Sequence, residues 1–324
     1  MAKNKKQHYI PKCYLKAWCD QNIPKNYTPY VWSFEKNFKI GKNKAPDNIF
    51  HETDLYTIWD EHGNRNLTIE HGFSGLEKQF SSIRKKKLSL KKALTYDEHF
   101  LVCMFMAAMH SRTISQIENL GNMFKPVLKN MENMMEHMKT ATEEEKENLA
   151  RFSSHSLSTD SEKISYDDVK LMVEKPMETM MIPMIETETS SLTKLDFAIL
   201  CTTEKQGFIT SDNPCIWIDP EAYKRPPLYQ SPALMYESIE IIFPISPNQC
   251  IFLNRQGING YINFDLKNVN NTNRIIRIHA NKNYISNQNK TDELWFHIDE
   301  EPEDSWEKQH VKKANKYEET NNLP

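Results

Sequence analysis

The spacing of the apolar residues changes near residue 190, and this change restricts the fold more than any other feature of the chain. Before it, apolar side chains recur at three- and four-residue intervals, most clearly from Leu67 to Lys86, as in an amphipathic helix. After it, short runs of β-branched and aromatic residues between turn formers indicate strands. We therefore expect an α+β protein in which a helix-rich N-terminal half packs on an antiparallel β meander formed mainly by the C-terminal half.

Local signals locate the helices. Thr95 is a good N-cap and Glu98 completes a capping box, so a helix is expected from Tyr96 to beyond Asn119. Arg112 follows its apolar first half, where a basic side chain usually has an anionic partner inside the protein. Further helices are expected at about 8–18, 67–86, 166–185 (broken near Pro176 and Pro183) and 269–280 (with its N-cap among Asn270, Asn271 and Thr272).

Short apolar segments predict the strands. The strands 195–202 and 207–210 are separated by a Glu-Lys-Gln-Gly segment, which predicts a hairpin. The strands 239–243 and 249–253 repeat this arrangement, so the four should form a meander. The other expected strands are 30–34, 55–59 and 284–286.

The 324 residues are expected to form a single α+β domain at 1–290 with a helical insertion at about 119–185. Within the insertion, the Ser- and Thr-rich stretch 152–163 is the best linker. The Met-rich segment 119–151 either fills a core or contacts a protein partner through its flexible methionines. Residues 291–324 are expected to be an acidic C-terminal tail, because 291–307 carry eight acids and no lysine or arginine.

The composition argues against several classes of site. With 8 glycines and neither Gly-x-Gly-x-x-Gly nor Gly-Lys-Ser/Thr, the chain lacks the usual dinucleotide and Walker-type motifs. Its 6 cysteines form no Cys-x-x-Cys pair and are expected to be reduced, buried residues. The start of the chain is lysine-rich without an apolar segment behind it, and the longest apolar run, Phe100 to Met109, is too short to span a bilayer. We therefore expect a cytoplasmic protein that does not contact a membrane.

Polar groups follow directly behind an apolar strand in the segment Phe208 to Cys215. Asn213-Pro214 ends the strand, because proline has no N–H and disfavours the helical region for the residue before it. Asp212 is therefore expected at a strand end, where a rigid sheet can direct its carboxylate. Ser211, Asp212 and Asn213 are also ordinary turn formers, so a capped turn is the alternative.

A second unusual segment is His8-Tyr9-Ile10-Pro11-Lys12-Cys13-Tyr14-Leu15. Together with Phe208 to Pro214 it resembles the bacterial family DUF4238, whose members have a His-His-Tyr-Val-Pro-Gln-x-Tyr-Leu-like segment and a later Phe-Ile-x-Ser-Asp-x-Pro-like segment. Gln7 replaces the first histidine here, and Lys12 replaces the glutamine. The resemblance spans roughly 7–287 and brings no agreed chemistry. It implies site positions at Glu70, Glu77, Arg112 and the asparagines 270, 271 and 273.

One interpretation of these residues is a metal-dependent nuclease or phosphodiester hydrolase. An effector role in bacterial defence is compatible with such an enzyme. Asp212, Glu70 and Glu77 would hold Mg²⁺ or Mn²⁺, and His8 would act as a base or ligand. Arg112 would hold a phosphate bidentately. This interpretation requires His8, a glutamate of the 67–86 helix, Arg112 and Asp212 to converge in one pocket.

A basic block supports a nucleic-acid partner, DNA or RNA. Residues 84–92 hold six basic groups and no acid, and such a block can contact phosphates or be a solvated surface. The candidate nucleic-acid contacts are Arg84, Lys85, Lys86, Lys87, Lys91 and Lys92.

The alternative is a non-catalytic binding or scaffold module, in which the polar motif residues form a structural network. Arg112 would then pair with Glu77, and Asp212 with Asn213 would cap a turn. The residues expected to contact substrate or support the structure are Tyr9, Ser211, Asn213 and Asn273. The two interpretations differ in whether the acids surround a concave hollow that solvent reaches.

Overall fold

Helices and antiparallel sheets both occur in the computed structural model, so the expected α+β class is confirmed. The model describes residues 5–19, 26–147, 164–298, 302 and 304–308. They divide into two compact units, one from the described parts of 1–113 and 185–324 and one from those of 114–184. The expected linker at 152–163 and most of the expected acidic tail lie outside the described residues. No described helix is long and apolar enough to cross a membrane.

The helices follow apolar periodicity and capping signals. Thr95 and Glu98 form the predicted capping box at the start of α3. In chain order the main described helices are α1 (Lys12–Leu15), α2 (Thr68–Lys86), α3 (Tyr96–Ser111), α4 (Ile114–Thr140), α5 (Tyr166–Glu174), α6 (Pro176–Leu192) and α7 (Leu266–His279). Short 3-10 turns include Lys16–Trp18, Pro46–Asn48, Leu88–Leu90, Ala222–Lys224, Pro227–Tyr229 and Glu293–Phe296.

The strands are short and form two larger sheets. In chain order they are β1 (Lys6–His8), β2 (Val31–Glu35), β3 (Gly41–Lys44), β4 (His51–Thr53), β5 (Ile58–Trp59), β6 (Arg65–Asn66), β7 (Asp196–Cys201), β8 (Thr210–Ser211), β9 (Ile216–Ile218), β10 (Glu240–Ser246), β11 (Gln249–Asn254), β12 (Gly260–Asn263) and β13 (Asn283–Ser286). One sheet has the order β12-β7-β11-β10-β9 and the other β3-β2-β13-β8. β1 pairs with β4, and β5 with β6.

The predicted pairing of 239–243 with 249–253 is confirmed by the antiparallel β10 and β11. The predicted hairpin of 195–202 with 207–210 is wrong, because β7 pairs with β11 and β12 whereas β8 pairs with β13 in the other sheet. The connection passes close to Pro247, whose carbonyl accepts a hydrogen bond from the Phe208 N–H at 2.7 Å. A Cβ on Gly207 would collide with that carbonyl oxygen, and Gly207 has a φ of 61°. Glycine therefore permits the chain to leave one sheet for the other.

Four helix predictions differ from the structure. The helix expected at 8–18 begins only at Lys12, and His8 belongs to β1. The helix from Tyr96 ends at Ser111, with Arg112 as its C-cap, instead of continuing beyond Asn119. Pro176 begins α6 as predicted, but Pro183 lies inside that helix. The helix α7 begins four residues before the first of the predicted caps, and the Asp265 side chain is its N-cap. The asparagines 270 and 273 are instead buried inside α7, where their side chains bond to other segments.

The first unit has an aromatic core. Phe34, Phe208 and Trp295 belong to a buried cluster that also contains residues of both larger sheets and of α7. Trp295 lies in the expected acidic tail, yet it is fully buried and donates to Asn270 Oδ1 at 2.9 Å. In the second unit, α4 packs against α5.

Candidate functional site

Arg112 joins the N-terminal motif to α2. Its Nε donates to the Tyr9 carbonyl and its Nη2 to the His8 carbonyl, both at 2.8 Å, and Nη2 also lies 3.0 Å from Glu77 Oε1. The side chain is 1% exposed and lies over the Phe73 ring. The Arg112–Glu77 pair of the scaffold interpretation is therefore present, and the guanidinium also holds two backbone carbonyls.

Glu70 belongs to the same neighbourhood. Burial raises its pKa, the charge of Arg112 opposes this shift, and the nearby Glu77 reinforces it. Tyr56 also contacts this group, because its hydroxyl donates to the Arg112 carbonyl at 2.9 Å. The structure thus gathers Glu70, Glu77, Arg112 and the backbone of His8.

The His8 ring contacts His51, whereas the His8 carbonyl contacts Arg112. It packs edge-on against His51 with 5.2 Å between the ring centroids. Burial, followed by the charges of Lys12 and His51, lowers the pKa of His8 to about 4. His8 is therefore neutral at pH 7 and a weak base, since a general base works best with a pKa near the working pH.

Asp212 holds the backbone that leads into β13. Its carboxylate accepts hydrogen bonds from the N–H groups of Asn281 at 2.8 Å, Lys282 at 2.7 Å and Asn283 at 2.9 Å. Burial raises the pKa of Asp212 while these three donors lower it. Asp212 also raises the pKa of Tyr9, after burial, which is the larger cause. The carboxylate at the strand end thus has backbone partners on both oxygens.

The three carboxylates proposed as metal ligands do not form a shared metal site. Within the described parts of the chain, no group of three or more His, Cys, Asp or Glu side chains could hold a metal ion. Glu77 bonds to Arg112, and Asp212 bonds to backbone amides. Glu70, Glu77 and Asp212 therefore do not form the three-carboxylate group that the sequence analysis proposed.

Ser211 and Asn213 of the segment Phe208 to Cys215, and Asn273 of α7, also bond to backbone groups. The Ser211 hydroxyl donates to the Asn213 carbonyl at 2.8 Å, and Asn213 Nδ2 donates to the carbonyl of His279 at the end of α7. Asn273 Oδ1 accepts from the Ile209 N–H at 2.9 Å, and its Nδ2 donates to the Gly207 carbonyl at 2.8 Å. These side chains position β8 against α7.

The two motifs contact each other directly. The Tyr14 hydroxyl lies 2.7 Å from Thr210 Oγ1, and Trp18 Nε1 donates to the Phe208 carbonyl at 2.8 Å. Both Tyr14 and Trp18 are fully buried. Segments about 200 residues apart in the sequence thus form one hydrogen-bonded core.

Arg84, the first residue of the basic block, faces the interior of the protein and not its surface. It is buried and donates to the carbonyls of Cys13 at 2.9 Å, Tyr14 at 3.3 Å and Ile245 at 3.1 Å. The sequence block could not distinguish this arginine from its neighbours, because only packing turns its side chain inward.

The other basic residues of the block lie at the end of α2 and in the connection from α2 to α3. Lys87 pairs with Glu98 at 3.2 Å and is only partly exposed. Four lysines are exposed and have no ion pair among the described residues, and we call this group the lysine surface: Lys85, Lys86, Lys91 and Lys92.

Two cavities share Lys91 as a lining residue, and the motif analysis did not predict them. The aromatic cavity has a volume of about 520 Å³ and is lined by Lys91, Lys92, Ala93, Leu94, Thr95, Tyr96, His99, Phe197, Ile199, Gly260 and Tyr261. The polar cavity has a volume of about 310 Å³ and is lined by Ser89, Lys91, Cys201, Thr202, Thr203, Ser246, Asn248, Gln249 and Asn263. Aromatic residues soon after a lysine pair were the available signal for the first, but Phe197 and Tyr261 come from distant strands.

Comparison with known proteins identifies the family. A family model described as "Protein of unknown function (DUF4238)" matches residues 6–291. No curated protein and no solved structure matches the chain at a significant level. Because the family model covers nearly the whole chain, including both motifs, the protein belongs to the DUF4238 family.

Proposed function

We propose that this protein is a non-catalytic nucleic-acid-binding module that contacts phosphates through its lysine surface. The observation behind the proposal is the group of four exposed lysines without a carboxylate partner among the described residues, within eight positions of the chain. Ammonium groups arranged in this way neutralise phosphates and release the counterions bound to them.

The contacts of the motif residues favour the non-catalytic interpretation. Arg112, Asp212 and Asn273 direct their polar atoms at backbone groups, and such contacts stabilise a fold. A guanidinium or carboxylate occupied in this way has few sites left for a phosphate or a cation. The nuclease interpretation stays a prediction without a ligand set to support it.

The first prediction concerns the salt dependence of binding. The triple variant Lys85→Gln, Lys86→Gln, Lys92→Gln should bind labelled oligonucleotides more weakly than the wild type. For single strands each phosphate contact contributes about 0.7 to the slope of log K against log salt, so three lost contacts reduce that slope by about 2. Fluorescence anisotropy at several salt concentrations measures both quantities.

The control removes three lysines elsewhere. Lys44, Lys125 and Lys129 are exposed, and replacing them with glutamine changes the net charge by the same amount. This variant should bind like the wild type. Equal losses in both triple variants would assign binding to net charge, and a wild type that binds neither DNA nor RNA at low salt would end the proposal.

A cleavage assay tests the non-catalytic part. Labelled DNA and RNA should remain intact with the wild type in Mg²⁺, in Mn²⁺ and in EDTA. Cleavage that requires the metal, and that Asp212→Asn removes from a folded protein, would establish the nuclease interpretation instead.

A further inference from the structure

We infer that the aromatic cavity receives one unstacked nucleobase of a single strand whose phosphates lie along the lysine surface. The inference rests on the proposed function and assigns its substrate class, single-stranded nucleic acid. A base inside a duplex is stacked on both faces and paired along one edge. Only an unpaired, unstacked base can therefore enter such a cavity.

The size and lining of the aromatic cavity suit a nucleobase. Its volume of about 520 Å³ lies within the range of roughly 300–1,000 Å³ typical of ligand sites. Tyr96, His99, Phe197 and Tyr261 provide ring surfaces. The His99 ring packs edge-on against Phe197 at 5.0 Å, and burial lowers its pKa, so it is uncharged at neutral pH. Bases stack on such rings regardless of their identity.

Charge selects an anionic occupant over other planar molecules. Lys91 and Lys92 are among the residues that line the cavity, and none of the lining residues is Asp or Glu. A flat, apolar body next to a negative charge complements this arrangement, and a nucleotide unit has both. Neither lysine has an ion pair among the described residues, and the ammonium of Lys91 bonds only to the neutral Asn263, so an anionic ligand suits them better than a neutral or cationic one.

The polar cavity supports the same occupant. It shares Lys91 with the aromatic cavity, and its lining is rich in hydroxyl and amide groups, including Thr202, Thr203 and Asn248. Sugar hydroxyls and phosphate oxygens are the hydrogen-bonding parts of a nucleotide, and they adjoin the base. Lys91 thus lines both a cavity that suits a base and a cavity that suits the sugar and phosphate.

Oligonucleotides that carry 2-aminopurine test the inference. Binding to the wild type should change the fluorescence of this base, because it leaves its neighbours and stacks on protein rings. An oligonucleotide with an abasic site at that position should bind about tenfold more weakly than its parent, as expected for one stacked base.

Tyr96→Ala is the diagnostic variant. The Tyr96 side chain lines the cavity and the residue is 78% exposed, so the variant should fold with an unchanged melting temperature. It should weaken single-strand binding about tenfold. The salt slope and duplex binding should remain unchanged. The matched control, Tyr27→Ala, replaces a tyrosine that is 70% exposed and lies outside the cavity lining, and it should behave like the wild type.

The outcomes separate the two proposals. Salt-dependent binding that neither Tyr96→Ala nor the abasic site weakens would overturn the base assignment and leave the lysine surface standing. If no oligonucleotide binds, the proposed function fails, and adenosine monophosphate becomes the probe of the cavity. Its saturable binding, lost in Tyr96→Ala, would retain the base assignment, whereas no binding would end it.

Discussion

Individual charged and amide side chains hold distant segments of this chain together. Arg112 bonds to residues about 100 positions earlier, and Asp212 bonds to amides about 70 positions later. Each bond gives a partner to a buried charged side chain, which would otherwise cost free energy. These are the features that made both residues look catalytic, because a buried charge at the end of an element is typical of both roles.

The second prediction is that Asp212→Asn destabilises the protein by about 2–3 kcal/mol, because three backbone N–H groups lose the ionised acceptor that the buried Asp212 provides. Chemical denaturation at neutral pH measures the loss. Asp97→Asn is the matched control: Asp97 is exposed in the first turn of α3 and should cost less than about 1 kcal/mol. Similar losses in both variants would contradict the role of Asp212 as a backbone anchor.

The end of α2 and the connection from α2 to α3 together carry the lysine surface. The connection holds Lys91 and Lys92. Its 3-10 turn, Leu88–Leu90, is followed by Lys91, which has a left-handed φ of 51°. Two contacts from the five-stranded sheet fix it, because Gln249 Nε2 donates to the Leu88 carbonyl at 2.7 Å and the Tyr261 hydroxyl to the Lys92 carbonyl at 2.9 Å. A backbone held in this way loses less entropy when it binds a ligand.

The third prediction concerns the crossing between the two sheets. Gly207→Ala should destabilise the protein by more than about 2 kcal/mol, because the added Cβ meets the Pro247 carbonyl in a left-handed conformation. Thermal or urea denaturation measures the effect.

Gly257→Ala isolates the backbone contribution. Gly257 has a φ of 76° and open space around the position of a Cβ, so the substitution should cost only about 1–2 kcal/mol. Equal losses at Gly207 and Gly257 would show that the close approach to Pro247 contributes nothing.

For the whole molecule, the net charge of −3 gives no general attraction to nucleic acid. Charges more than about 8–10 Å apart are largely screened at physiological salt, so the local density of lysines matters more than the total. Any affinity for phosphates should therefore come from the lysine surface.

The fourth prediction is a loss of folding stability in mild acid. Burial is the first cause of a lowered pKa at His8, His51, His99 and His279. Between pH 6.5 and about 4 the unfolded chain therefore binds more protons at these residues than the folded protein. Their contribution to stability is present above pH 6.5 and is lost as the pH falls. Urea denaturation from pH 7.5 to 4.5 measures it.

The variant His8→Asn separates the effect of the histidines on stability from the opposite effect of buried carboxyls. Burial raises the pKa of Glu70, Glu240 and Asp212, and these carboxyls favour the folded state as the pH falls. The loss of stability between pH 7 and 5 should therefore be smaller in His8→Asn than in the wild type. An identical loss would contradict the lowered pKa of His8.

The sequence alone determined the α+β class, the capping box of Thr95 and Glu98, the β10–β11 pairing and the resemblance of the two motifs to DUF4238. These features depend on residues near one another in the chain, where spacing and capping chemistry act locally.

Only the tertiary structure decided the roles of Arg84, Arg112 and Asp212. Whether a charged side chain bonds to distant carbonyls or amides, or faces solvent, depends on which segments pack around it. The same holds for the aromatic cavity, because Tyr96, Phe197 and Tyr261 meet only where α3 and two strands of the five-stranded sheet come together. Pairing between distant segments leaves no periodic signal in the chain, since it is set by the packing of whole elements.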